Sequence, residues 1–258
     1  MKIKLSVLLV LAASLAFITS CKKSSSASSD PQITPQQISS QIALNINQTI
    51  LGGYGGLNVG EGLGAAQDFA VRTKTKQIND VSSGSCPLPI DTAFSATLPF
   101  AADSSLTISG SINFSFTCLG DYLSGFTTND NMTIAVTGPH LALSYKVSEN
   151  LTMASTDASN EDATVAVNGS LGTSGNYQFK TGTKRSGTEV FNYTLTNALV
   201  DPLLGSIISG KATFTTSGSG PLGAWSYTGT ITFQQNNMAV VTINGKTYTV
   251  SLDTGVVS

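Results

Sequence analysis

Charge is scarce in this chain: Asp, Glu, Lys and Arg make up 11% of its 258 residues, against roughly 25% in an ordinary soluble domain. Histidine occurs once, at His140, so a histidine-rich metal site is excluded and a serine triad has nothing distinctive to draw on. The 13 basic residues are outnumbered by 15 acidic ones and form no stripe, which excludes the phosphate-neutralising surface of a nucleic-acid binder. Cysteine occurs three times without a Cys-x-x-Cys, so a thioredoxin-like redox role has no support. The longest greasy run, residues 5–18, falls short of the about 20 residues of a membrane-spanning helix. What is abundant instead is Ser, Thr, Asn and Gln, and these must supply the wet surface.

The start of the chain reads as an export signal. Lys2 and Lys4 make a positive head, residues 5–18 an apolar stretch broken only by Ser6 and Ser14, and small residues precede a cleavage point. Ile18-Thr19-Ser20-Cys21 resembles the lipobox of bacterial, Gram-negative lipoproteins. The resemblance covers about the first 26 residues and no more. It implies that Cys21 receives a diacylglycerol, becomes the first residue, and is acylated again by a fatty acid such as palmitate. Each buried CH₂ contributes about 0.8 kcal/mol, so two or more chains give a durable membrane anchor. By the same resemblance, Lys22 in place of an aspartate favours the outer membrane, with periplasmic or surface display left open. Loss of Lys2 and Lys4 makes the mature chain two charges more negative than the −2 of the whole.

With Cys21 given to lipid, Cys86 and Cys118 remain as an even pair in an oxidising compartment and are expected to form a disulfide. Free buried thiols are the alternative. The expected organisation is a signal peptide at 1–20, a lipidated Ser-rich tether at 21–33, a helix with a glycine-rich hinge or loop at 34–85, and a β-domain at 86–258. The helix is signalled by Thr34 as cap, Pro35 at the first position, and Ile38, Ile42, Ile46 and Ile50 every fourth residue. Seven glycines between 52 and 64 invite a nucleotide-loop reading, but no lysine follows before Lys74 and the dinucleotide spacing is absent.

From about Thr92 onward, apolar and polar residues alternate. Leu106, Ile108, Ile112, Phe114 and Phe116 fall on one face, and Thr107, Ser109, Ser111, Asn113 and Ser115 on the other. Asn244-Gly245 between two such runs predicts a tight hairpin. Roughly twelve strands with short turns predict a mainly β fold: an antiparallel meander forming a strongly curved sheet or barrel with one N-terminal helix on or in its apolar face. A two-sheet β-sandwich is the alternative. A transmembrane barrel shares the alternation, but lipidation would make it redundant and its apolar faces carry Ala, Gly and Met.

Chemistry is sparse. Residues 157–162 and 121–130 hold acidic clusters without an EF-hand order, and solvated loops explain them. Glu149-Asn150 reads as a strand breaker, and Glu189 as a surface partner of Lys184-Arg185. His140 follows Gly138-Pro139 as an exposed turn residue. No catalytic residue, metal ligand or cofactor site is identified, and the chain reads as no enzyme. Two functions are consistent with this. One is a membrane-anchored binding module for a lipid or other hydrophobic ligand. The other is a structural or interaction protein of the envelope in which the apolar face is a filled core and the Ser/Thr-rich face meets glycan or protein, with Asp91-Thr92-Ala93 resembling a short O-glycan acceptor.

Overall fold

The computed structural model describes residues 33–51, 89–101, 103–120, 122–160 and 162–258; these belong to one compact unit, Gln32–Ser258. Cys21 and Cys86, the tether and the glycine-rich stretch lie outside the described residues. Helix α1, Pro35–Ile46, starts as its sequence predicts. Gln37 N donates to Thr34 Oγ1 at 3.3 Å and Thr34 N donates back to Gln37 Oε1 at 2.9 Å, a reciprocal cap. A π-helical turn, Asn47–Leu51, follows. A spacing of four drifts round an α-helix by about 40° per step. The wider π turn advances less per residue and brings Ile50 back to the buried side. Thr49 Oγ1 donates to Asn45 O at 2.6 Å, the kind of back-bonding that opens a helix turn. Ile38, Ile42, Ile46 and Ile50 are all buried.

Ten strands follow: β1 Ile90–Ala101, β2 Ser104–Leu119, β3 Tyr122–Thr137, β4 Leu141–Ser155, β5 Val165–Phe179, β6 Ser186–Asp201, β7 Ser206–Gly220, β8 Gly223–Gln234, β9 Met238–Ile243 and β10 Lys246–Ser251. They form one antiparallel meander in chain order, curled but not closed. The curved-sheet expectation holds; the closed barrel and the two-sheet sandwich do not, because every strand pairs only with its sequence neighbours in a single sheet. Among the described residues the count is ten rather than twelve because runs that read separately are single long strands. Val165-Val167 and Tyr177-Phe179 are both in β5, joined through a bulge at Gly169, whose φ of 126° a side chain rarely tolerates. Asn168 Oδ1 accepts from Asn197 N at 2.7 Å across the bulge, which holds the irregularity in place. Asn244-Gly245 makes the predicted hairpin, with φ of 52° and 77°.

The curl makes one face concave. Phe114, Phe126, Leu151, Leu171, Phe191, Tyr193, Phe214, Ile231 and Val241 line it and pack in one cluster with the α1 isoleucines. The outer face is wet: Thr213, Thr215, Thr228, Thr230 and Thr232 are exposed. That is the reverse of a membrane barrel, whose outer face must be greasy. Tyr227 OH of β8 donates to Ile33 O at 2.7 Å before α1, and Asn45 near its end donates to Tyr145 OH of β4 at 3.0 Å. Twelve helical residues span about 18 Å, close to the spacing of four strands at about 4.8 Å each. Helix α1 therefore crosses the strands, and the curl brings β9 and β10 against it as well. Residues 256–258 return along β10, with Val257 bridging Val250 and Ser258 N donating to Thr249 O at 2.9 Å. This covers an edge that would otherwise invite pairing.

Cys118, at a register shift near the end of β2, is disulfide-bonded. With Cys86 as its partner the closed loop of about 32 residues constrains the unfolded chain by roughly 3–4 kcal/mol. Reduction is expected to cost that much stability in a denaturant titration, and a non-reducing peptide map should yield the 86–118 cross-link. Two free thiols in natively produced protein would contradict it.

Candidate binding site

Three rows of inward-facing side chains run across the sheet from β4 to β8, and they differ in chemistry. The innermost is Glu149, Leu171, Tyr193, Phe214 and Gly229. The middle one is Val147, Thr173, Phe191, Thr216 and Tyr227. The outermost is Tyr145, Gly175, Glu189, Gly218 and Trp225, alternating large and absent side chains. Tyr177, paired with Gly187, stands one step further out.

The glycines make room for their neighbours. A Cβ at Gly218 would strike the Trp225 indole, one at Gly187 the Tyr177 ring, and one at Gly175 would sit 3.0 Å from Glu189 Oε1. The indole lies 6.0 Å from the Phe191 ring centroid and 6.5 Å from that of Tyr227. Glu189 is thereby set among Tyr145 and Trp225 of its own row, Phe191 inside it and Tyr177 outside it. These side chains, Phe191 excepted, are partly exposed. They form a mouth at the end of the concave face where the β3–β4, β5–β6 and β7–β8 turns lie.

The helix closes the inner side of this mouth. Asn45 Nδ2 donates to Tyr145 OH and, at 3.1 Å, to Thr173 Oγ1. Gln41, one turn earlier on the same flank, has its Oε1 buried with no hydrogen-bond partner, and so has the buried Tyr193 OH. Burial pushes the Tyr193 phenol well above its ordinary range, with Tyr145 and Glu189 adding to the effect. Burial alone raises Glu189, which has neither hydrogen bond nor ion pair among the described residues. Its expected surface pairing with Lys184-Arg185 is not formed. Glu189 shares the inward parity of Phe191 and Tyr193, while Arg185 Nε donates to Thr183 Oγ1 at 3.0 Å.

A second polar feature lies deeper. Asp130 of β3 and Glu149 of β4 are directly opposed cross-strand neighbours, 2% and 3% exposed. Both contradict their sequence reading. Asp130 is not in a solvated acidic loop and Glu149 is not a breaker; each occupies an inward position in the middle of a long strand. Burial pushes Asp130 up to about 6, opposed by hydrogen bonds with Thr128 and Glu149. Burial, then the charge of Asp130 and the hydrogen bond to it, push Glu149 well above its usual range. Glu149 is thus the proton-bearing donor and Asp130 the acceptor. Thr128 Oγ1 donates to Asp130 Oδ1 as well. Two carboxyls this close would suit acid–base chemistry, but at this burial no substrate reaches them.

The other sequence candidates are brought to neither place. His140 is exposed in the β3–β4 turn, with Nδ1 3.4 Å from Thr181 Oγ1. Asp157 Oδ1 accepts from Ser159 N at 3.0 Å, as in a solvated turn. No group of His, Cys, Asp or Glu among the described residues has a metal-binding arrangement. Asp91 and Thr92 lie in β1, away from the mouth. Compared with models of known protein families, with curated proteins and with solved structures, the chain matches none.

Proposed function

We propose that the protein is a lipid-anchored, non-enzymatic binding module of the cell envelope, held through Cys21 at the outer membrane, which takes a hydrophobic ligand by its polar end in the Glu189 mouth. One observation carries this reading: at the open end of an apolar trough, Tyr193 OH is buried without a partner within electrostatic reach of Glu189, and Gln41 Oε1 is buried without one a helical turn from Asn45, which meets Tyr145 and Thr173. Each unmet buried polar group costs about 1–3 kcal/mol, so Gln41 Oε1 and Tyr193 OH together with a partly exposed, unpaired carboxyl favour an occupant at this end of the trough. The partly exposed Tyr145, Tyr177, Trp225 and Tyr227 give that occupant a route in and apolar walls. The alternative, a structural or interaction protein with a filled core, is favoured by the depth of α1, whose four isoleucines already occupy the trough. An acyl chain therefore has to lie beside α1 rather than beneath it.

Lipid extraction and native mass spectrometry of a purified Cys21→Ser form, freed of its own acyl chains, test the ligand. A co-purified hydrophobe, or saturable binding of a solvatochromic probe, is the expected result; neither would leave the filled-core reading. The same substitution is expected to abolish palmitate incorporation and release the protein from the membrane. Continued labelling would contradict the assignment of Cys21.

A further inference from the structure

The mouth has a sign. Glu189 is set among four aromatic rings, with burial against it and no ion pair to a cation among the described residues. Among the described residues, the cations at this end of the sheet hydrogen-bond elsewhere: Arg185 Nε donates to Thr183 Oγ1, and Lys180 Nζ to Gly138 O at 2.9 Å, with the Arg185 charge felt by the Tyr177 phenol. A carboxylate taken out of water without a partner is costly. The faces of Trp, Tyr and Phe carry negative charge and attract a cation. The unpartnered Gln41 Oε1 extends the pattern, because it can only accept, while Tyr193 OH can accept as well as donate. An ammonium group has three donors and no acceptor, so one ion answers Glu189, Gln41 and the ring faces together. An anion would meet Glu189 head on, and a neutral alcohol would leave its charge unanswered.

We propose that the mouth formed by Tyr145, Tyr177, Glu189, Phe191 and Trp225 with Gln41 is a binding site for an organic ammonium ion carrying an apolar stem. This rests on the reading of the mouth as a ligand seat and adds the charge of the ligand. Glu189 is the counter-ion, Gln41 Oε1 an orienting acceptor, and the rings the walls that hold the stem. An aminolipid headgroup and a free amine share this chemistry.

The chain carries its own reporter, since Trp225 is its only tryptophan. Full-length lipidated protein in a neutral detergent is titrated with n-hexylammonium, n-hexanol and n-hexanoate, which share one stem and differ in charge. Hexylammonium is expected to shift Trp225 emission saturably, with little response to hexanol or hexanoate. Glu189→Gln is expected to weaken hexylammonium binding on the order of tenfold, about 1.4 kcal/mol, with unchanged circular dichroism and melting. Nanodiscs then separate the sources. Phosphatidylethanolamine that displaces hexylammonium where phosphatidylglycerol does not identifies a membrane headgroup, and displacement by neither assigns the site to a soluble amine. Equal responses to all three probes, or undiminished binding by a folded Glu189→Gln protein, overturn the ammonium site while leaving an apolar seat. No response to any probe overturns both.

Discussion

Near pH 8 the protein is expected to melt roughly 4–8 °C below its melting temperature near pH 4.5. The cause is the buried pair Asp130 and Glu149, opposed across β3 and β4. In the unfolded chain both carboxyls titrate near 4. In the folded protein burial holds Asp130 up to about 6 and Glu149 higher still. The folded state therefore binds more protons than the unfolded state above pH 4. Its stability is fully present below that value and is lost as the pH rises through 6 and beyond. Asp130 accounts for about 2 kcal/mol between pH 4.5 and 8, because the unfolded carboxyl is already mostly ionised at pH 4.5, and a domain of this size loses about 2–4 °C per kcal/mol. Glu149 adds to the loss in the same direction. Most secreted domains lose stability in acid because paired carboxylates are protonated; here that pair reverses the trend. Glu149→Gln replaces the shared proton with a permanent amide donor, so it is expected to flatten the profile and raise the melting temperature at pH 8. An unchanged profile in the variant, or greater stability at pH 8 in the parent, would contradict the assignment.

Truncation of the isoleucine stripe is expected to cost more. Ile42→Ala and Ile46→Ala each remove a fully buried side chain between α1 and the concave face, at about 2–5 kcal/mol apiece. Denaturant titration of the two single variants measures this. The double variant should lose less than the two single losses added, because the positions are one helical turn apart and share neighbours. It is expected to bind a hydrophobic dye as the trough opens. Gln36→Ala, on the exposed side of the same helix, should stay within about 0.5 kcal/mol of the parent. Losses at Ile42 and Ile46 no larger than that would mean that α1 does not fill the trough.

Most of the fold is legible in the sequence because two periods carry it. The spacing of four from Ile38 to Ile50 names the helix and its buried side, and Thr34-Pro35 with Gln37 names its start. The alternation of β2 to β10 names the strands and their wet faces. The strand ends are less legible. Asn168-Gly169 has the composition of a turn, and only the cross-strand bond from Asn197 to Asn168 makes it a bulge inside β5. Glu149-Asn150 misleads for a related reason. A carboxyl signals exposure unless something neutralises it, and here Asp130 lies adjacent through a pairing of strands that the sequence does not display. The spacing of Phe126, Thr128, Asp130 and Met132 does carry the signal, since Asp130 falls on the inward parity of β3. Glu189 likewise falls in step with Phe191 and Tyr193, and parity was a better guide than its proximity to Lys184-Arg185. The mouth itself is assembled from a register running across five strands and from the flank of a helix, and no local pattern in the chain announces it.

The central claim is that an occupant belongs between Glu189, Trp225 and Gln41. It is tested most directly by a crystal structure of the protein purified from its native source. The predicted result is a non-protein group in the mouth, its polar end at Glu189 and Gln41 Oε1 and its stem against Trp225 and Phe191. A mouth in which Gln41, Tyr193 and Glu189 satisfy one another through ordered water alone, with the rings closed over them, would contradict it.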